Sequence, residues 1–126
     1  MPVYYSWSVM DYYISNNPLV REKIRENLVF ADTFGDVLTA ARDMVHKGHK
    51  LITHPLSGSI KPGETPYKTI IMSGKTDILD IDSLRIIEEC ILTARKFINK
   101  NRQLNEKQIN DFQLIDYTLI FGKTGG

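Results

Sequence analysis

All three histidines of the chain, His46, His49 and His54, fall within the stretch from Arg42 to Lys68, together with three of its five prolines. Three imidazoles invite a zinc site, in which every ligand must lie about 2 Å from one ion. The spacing argues against it. His46 and His49 stand at the end of a helical segment, and His54 follows a short apolar segment, Lys50 to Thr53, that reads as a strand. Five residues of strand span roughly 16 Å at about 3.3 Å each, which separates His49 from His54 and sends the first two to the opposite edge of a sheet. His46, Lys47 and His49 suit the unpaired carbonyls and negative end of their helix instead. No metal ligands are assigned. His54, held extended by Pro55, is a candidate acid or base, or a hydrogen-bonded support for its loop.

That loop supplies hydroxyls, backbone amides and cations. Ser57-Gly58-Ser59, with Lys61, Thr65 and Lys68 nearby, would suit a phosphate or carboxylate. Pro55, Pro62, Pro66, Gly58 and Gly63 restrict its path and so lower the entropy lost on binding. The alternatives are a rigid Ω-loop whose hydroxyls satisfy its own backbone, or a surface for a partner. In an open α/β sheet, ligands settle beyond the carboxyl ends of the strands, where Asn16-Asn17, Asp32-Thr33 and this loop would meet. The expected ligand-binding set is Asn16, Asn17, His54, Ser57, Gly58, Ser59, Lys61, Thr65 and Lys68. No catalytic residues are assigned. Ser57 with His54 lacks a third orienting group. Gly122-Lys123-Thr124 lacks both the earlier glycine and the following helix of a phosphate loop.

These residues need elements to hold them. Met10 to Ser15 reads as a first strand. Asn17 caps a helix with Pro18 at its first position, running to about Asn27. Leu28 to Ala31 is a second strand. A second helix follows from about Phe34, with Phe34, Val37, Leu38, Ala41, Met44 and Val45 at helical spacing and Gly48 as its stop. Lys50 to Thr53 and Lys68 to Met72 are the third and fourth strands, the fourth of either direction. Asp82 is the expected cap of a long helix from Ser83 to Ile98, with Leu84, Ile87, Ile91, Ala94 and Ile98 inward. Asn105 caps a last helix with Ile109, Phe112, Ile115 and Leu119 inward. The alternation predicts an α/β fold of three layers, with a mostly parallel, roughly four-stranded sheet flanked by helices in a Rossmann-like or flavodoxin-like manner.

Composition bounds the rest. The chain of 126 residues, net charge +1, fits one domain and gives no basic excess for a nucleic acid. Residues 10–121 read as that domain. Met1 to Val9 reads as an extension outside the pattern, with Met10 an alternative start, and 122–126 as a flexible Gly-rich tail. No segment approaches the ~20 apolar residues of a membrane span, and no signal peptide is visible, so a cytoplasmic protein is expected. A single cysteine, Cys90, suits a reducing compartment and reads as a small core residue. No glycine fingerprint follows the first strand, so no organic cofactor is expected.

Several segments together resemble the GrdX family. They are Asn16-Asn17-Pro18-Leu19-Val20, the run from Arg42 to Leu51, Thr53-His54-Pro55-Leu56-Ser57-Gly58-Ser59, Glu64-Thr65-Pro66-Tyr67-Lys68 and Asp111-Phe112-Gln113-Leu114-Ile115-Asp116. The resemblance runs from about Met10 to Ile120, and Gly63 stands where a polar residue such as Asn is expected. It implies a small protein encoded with the selenium-dependent glycine, sarcosine and betaine reductases of anaerobic amino-acid fermenters. It implies an accessory task and carries over no catalytic residues. Three readings follow: a non-catalytic accessory protein binding a small anion or a reductase component, a small-metabolite enzyme using His54 with Lys61 or Lys68, or a homodimeric interaction module.

Overall fold

A computed structural model of the chain describes residues 10–56, 64–97 and 103–122. It contains β1 (Tyr12–Ser15), α1 (Pro18–Lys23), β2 (Leu28–Phe30), α2 (Phe34–His46), β3 (Thr69–Met72), α3 (Ile81–Arg95) and α4 (Glu106–Phe121). The sheet has three strands in the order β2-β1-β3. β1 and β2 run parallel, and β3 runs antiparallel to β1 with Ser15 opposite Thr69 and Tyr12 opposite Met72.

This corrects the expected fold class: the sheet is small and mixed, not a roughly four-stranded, mostly parallel Rossmann-like or flavodoxin-like one. The expected strand from Lys50 to Thr53 is reduced to one bridge, Leu51 with Met72. Its backbone lies along β3 and keeps the bonds Ile52 N to Ile71 O (2.9 Å) and Ser73 N to Lys50 O (2.8 Å), but side-chain hydroxyls take other amides of the segment and of β3. Ile71 N donates to Thr53 Oγ1 (3.0 Å), Leu51 N donates to Ser83 Oγ (3.0 Å), and Lys50 N donates to Ser73 Oγ (2.8 Å). Side-chain hydroxyls of this kind offer the backbone an alternative to the ladder.

The helix starts follow from capping chemistry. Asn17 accepts from Leu19 N with Pro18 behind it, and Asn105 and Gln108 form a reciprocal capping box. α3 begins earlier than expected. Asp80, not Asp82, is its cap, because the Asp80 carboxylate accepts from both Ser83 N (3.0 Å) and Ser83 Oγ (2.6 Å). Those two bonds hold the Asp80 carboxyl below its ordinary pKa. α1 ends at Lys23, short of the expected Asn27.

α2 ends in a Schellman motif. Gly48 N donates to Val45 O and His49 N to Met44 O, with Gly48 at φ +102°.

One face of the sheet carries the apolar core. Ile14, Ile70 and Met72 pack with Val37, Leu38, Ala41 and Val45 of α2 and with Ile87, Cys90 and Ile91 of α3. By strand alternation, Tyr13, Ser15, Thr69 and Ile71 belong to the other face, which α4 covers. Tyr13 meets Phe121 there, their ring centroids 5.3 Å apart.

α4 is rotated from the expected face. Ile115 and Leu119 are 40% and 53% exposed, and the one fully buried residue of this helix is Asp116. Its inward stripe is Ile109, Phe112, Gln113, Asp116, Tyr117 and Ile120, all buried or half-buried. A carboxylate at the centre of a stripe is invisible to a hydrophobicity pattern.

Cys90 is a core residue, 3% exposed, as its helical setting suggested. Desolvation pushes its thiol from 9.0 up to about 11, with Glu89 adding to the rise and Lys68 opposing it. The folded chain therefore holds this proton above pH 9, where the unfolded chain begins to release it. Stability from Cys90 is fully present below pH 9 and is lost as pH rises through about 11. Urea titrations should show the wild type losing on the order of 2 kcal/mol relative to Cys90→Ala across that window. Parallel pH curves for the two proteins would refute the assignment.

Candidate functional site

The site grows from the end of the sheet at which β1 stops and β3 starts. There the chain places Ser15, Asn16, Asn17, Lys68, Thr69 and Asp116, all polar and all buried. Six such residues at one rim demand partners, since a buried polar group left unpaired costs roughly 1–3 kcal/mol.

Asp116 collects three donors. Thr69 N donates to its Oδ1 (3.0 Å), while Thr69 Oγ1 (2.6 Å) and Asn17 Nδ2 (2.9 Å) donate to its Oδ2. Asn17 Nδ2 also donates to the Gln113 carbonyl (2.9 Å). Ser15 Oγ lies 2.7 Å from Thr69 Oγ1 and accepts from Asn17 N (2.9 Å). Because the Thr69 proton points to Asp116, Ser15 must be the donor of that pair. A single directed chain results, running from Asn17 through Ser15 and Thr69 to Asp116.

Asn16 ties the loop to the sheet. Its Nδ2 donates to Pro66 O (2.7 Å) and its Oδ1 accepts from Lys68 N (2.9 Å). The Lys68 backbone is thereby fixed. Its side chain is not so engaged.

Lys68 is 8% exposed, and among the described residues its Nζ makes no hydrogen bond or ion pair. Alternation puts it on the same face as Ile70 and Met72, with the Phe34 ring of α2 at 6.0 Å from Nζ to its centroid. Burial pulls the ammonium below its ordinary pKa of 10.5, and the charges of Asp116 and Cys90 offset this only in part.

The histidines have different partners. His49 joins the far end of the sheet, where its Nδ1 donates to the Ser73 carbonyl (2.6 Å) and its ring stands edge-on to Tyr12 at 5.5 Å. His46 ends α2 and is exposed. His54 is exposed and its Nδ1 accepts from Leu56 N (3.1 Å). That bond places the proton of the neutral ring on Nε2 and makes His54 a staple for its own turn. Among the described residues, no group of three or more His, Cys, Asp or Glu side chains is placed to hold a metal ion.

Of the expected ligand set, the structure brings Asn16, Asn17 and Lys68 to one rim. Thr65 is half-buried, and its Oγ1 accepts from Tyr67 N (3.2 Å). Ser57, Gly58, Ser59 and Lys61 lie outside the described residues. Ser15, Thr69 and Asp116 were not anticipated. Asp116 carried one signal: it falls in phase with Ile109, Phe112 and Ile120 on α4. Among the described residues, no helix is long and apolar enough to cross a membrane.

No curated protein and no solved structure matches the chain significantly. The family model for the GrdX-like protein matches residues 12–123, from the first residue of β1 to just past α4. Every residue of the polar rim lies inside that span, and the chain belongs to the GrdX-like protein family.

Proposed function

We propose that this protein is a non-catalytic accessory of the glycine reductase system that binds a small anion at the Lys68 rim. The observation that carries the reading is Lys68, a residue only 8% exposed whose ammonium has no hydrogen-bond or ion-pair partner among the described residues. A buried cation of this kind is stabilised by any counter-ion that reaches it. Asn16, Asn17 and Asp116 serve by holding the strand ends and α4 in place, so the site is rigid before the ligand arrives. His54, Thr65 and the hydroxyls of Ser57 and Ser59, with the Gly58 amide and Lys61, complete the proposed binding loop. Family membership supports the placement beside a selenium-dependent reductase in the cytoplasm, with a reductase component as the partner.

The test is thermal unfolding with formate, acetate, glycine or phosphate added. A ligand bound to the folded chain alone raises the midpoint as its concentration passes Kd. At least one carboxylate or phosphate should do so, and Lys68→Met should abolish the shift, with about a tenfold or greater loss of affinity. No turnover of the anion should accompany it. Midpoints unmoved by every anion would remove the reading.

A further inference from the structure

We propose that Lys68 is a covalent capture site: its Nζ condenses with a small aldehyde or 2-oxo acid to give an imine. The inference rests on the Lys68 rim as the ligand site and names the ligand's reactive group. Three observations converge on it. Nζ donates no hydrogen bond and makes no ion pair among the described residues, so its lone pair is not committed elsewhere once the proton leaves. The surroundings are weakly solvating, with the Phe34 ring 6.0 Å away and the residue 8% exposed. Desolvation of this sort favours the free amine over the ammonium, which is how buried lysines become nucleophiles. Finally, the backbone that carries Lys68 is pinned by Asn16 on one side and by Thr69 with Asp116 on the other, so the amine is presented from a fixed strand end.

The chemistry balances without a further reagent. The neutral amine attacks the carbonyl carbon, and the carbonyl π pair moves to oxygen. A proton passes from nitrogen to that oxygen. The carbinolamine then expels water as the C=N bond forms. Protonation of the imine restores a cation at the same place, where the charge of Asp116 favours it. A 2-oxo acid is the best match, because the new iminium charge pairs with the carboxylate two atoms away.

The experiment treats the full chain at neutral pH with glyoxylate and cyanoborohydride, then maps reduced adducts on its lysines by peptide mass spectrometry. Lys68 should be labelled at least about tenfold faster than the exposed lysines 47, 50, 75 and 107. Lys68→Arg, which keeps charge and bulk without a primary amine, should remove that fast label. In the urea-unfolded wild type, Lys68 should lose its lead, a result that needs no variant to fold. Labelling of Lys68 at or below the rate of the exposed lysines would overturn the proposal. Anions that raise the melting midpoint while Lys68 stays unlabelled would leave anion binding standing and end covalent capture. Fast labelling with no effect of acetate or formate would do the reverse, and failure of both would end both.

Discussion

Asp116→Ala should destabilise the fold by about 3–5 kcal/mol, a large share of the 5–15 kcal/mol that holds a domain of this size together. The carboxylate receives Thr69 N, Thr69 Oγ1 and Asn17 Nδ2. Its loss strands the first and third of these in a buried setting and also opens a void. Asp116→Asn retains an acceptor for Thr69 N but turns an amide nitrogen toward Asn17 Nδ2. The Thr69 hydroxyl can rotate to accept, so the loss should be about half as large. Urea unfolding with an unchanged m-value is the measurement. Hydrogen exchange adds a spatial check: protection should fall first in α4 and at the end of β1, while α2 and α3 keep theirs. An Ala variant within about 1 kcal/mol of wild type would mean that the polar rim does not hold α4.

Gly48→Ala should cost about 3 kcal/mol or more. An added Cβ would lie 2.2 Å from the carbonyl oxygen of Asp77 and 3.1 Å from its nitrogen, and both are backbone atoms that cannot swing aside. The φ of +102° is itself strained for any residue with a Cβ. Relief would require breaking the Asp77 N to Gly48 O bond (3.1 Å) or unwinding the Schellman turn. His49, which follows directly, would then lose its bond to Ser73. Gly35→Ala is the control. Its new Cβ meets only Thr33 Oγ1 at 3.9 Å, in ordinary contact, and a first-turn alanine in α2 should be neutral or mildly stabilising. Thermal midpoints of the pair should therefore diverge in opposite directions or nearly so. Equal midpoints would show that the turn at Gly48 is more pliant than its contacts indicate.

What the amino acids disclosed in advance divides along physical lines. Helix starts at Asn17 and Asn105 were readable because the cap residue, the Pro or Gln that follows and the apolar run form one local signal. The stop at Gly48 was readable for the same reason. Sheet connectivity was not readable. Whether Lys68 to Met72 ran with or against β1 depended on a path through a long loop, and nothing local decides between them. The reduction of Lys50 to Thr53 to a single bridge depended on the hydroxyls of Thr53 and Ser73 taking the amides of Ile71 and Lys50, which lie 18 and 23 residues away in the chain. At the rim, Asn16, Asn17 and Lys68 could be chosen because their loops meet at a strand end. Asp116 could not, since its role comes from three donors on two residues, 47 and 99 positions distant in the chain. Ile115 and Leu119 were misassigned for the same reason: the carboxylate sets the rotation of α4 and their hydrophobicity does not.

The hydroxyls of Thr53 and Ser83 have an effect beyond local geometry. Along its outer side, β3 offers an incoming strand little to pair with, because Ile71 N is taken by Thr53 Oγ1 and Ile71 O already accepts from Ile52 N. On the other side, among the described residues, the sheet ends in β2, a strand of three residues. A short edge and an edge plugged by its own neighbour both discourage templated stacking between molecules. The irregular segment after α2 thus keeps a small, β-branched sheet from recruiting copies of itself during folding.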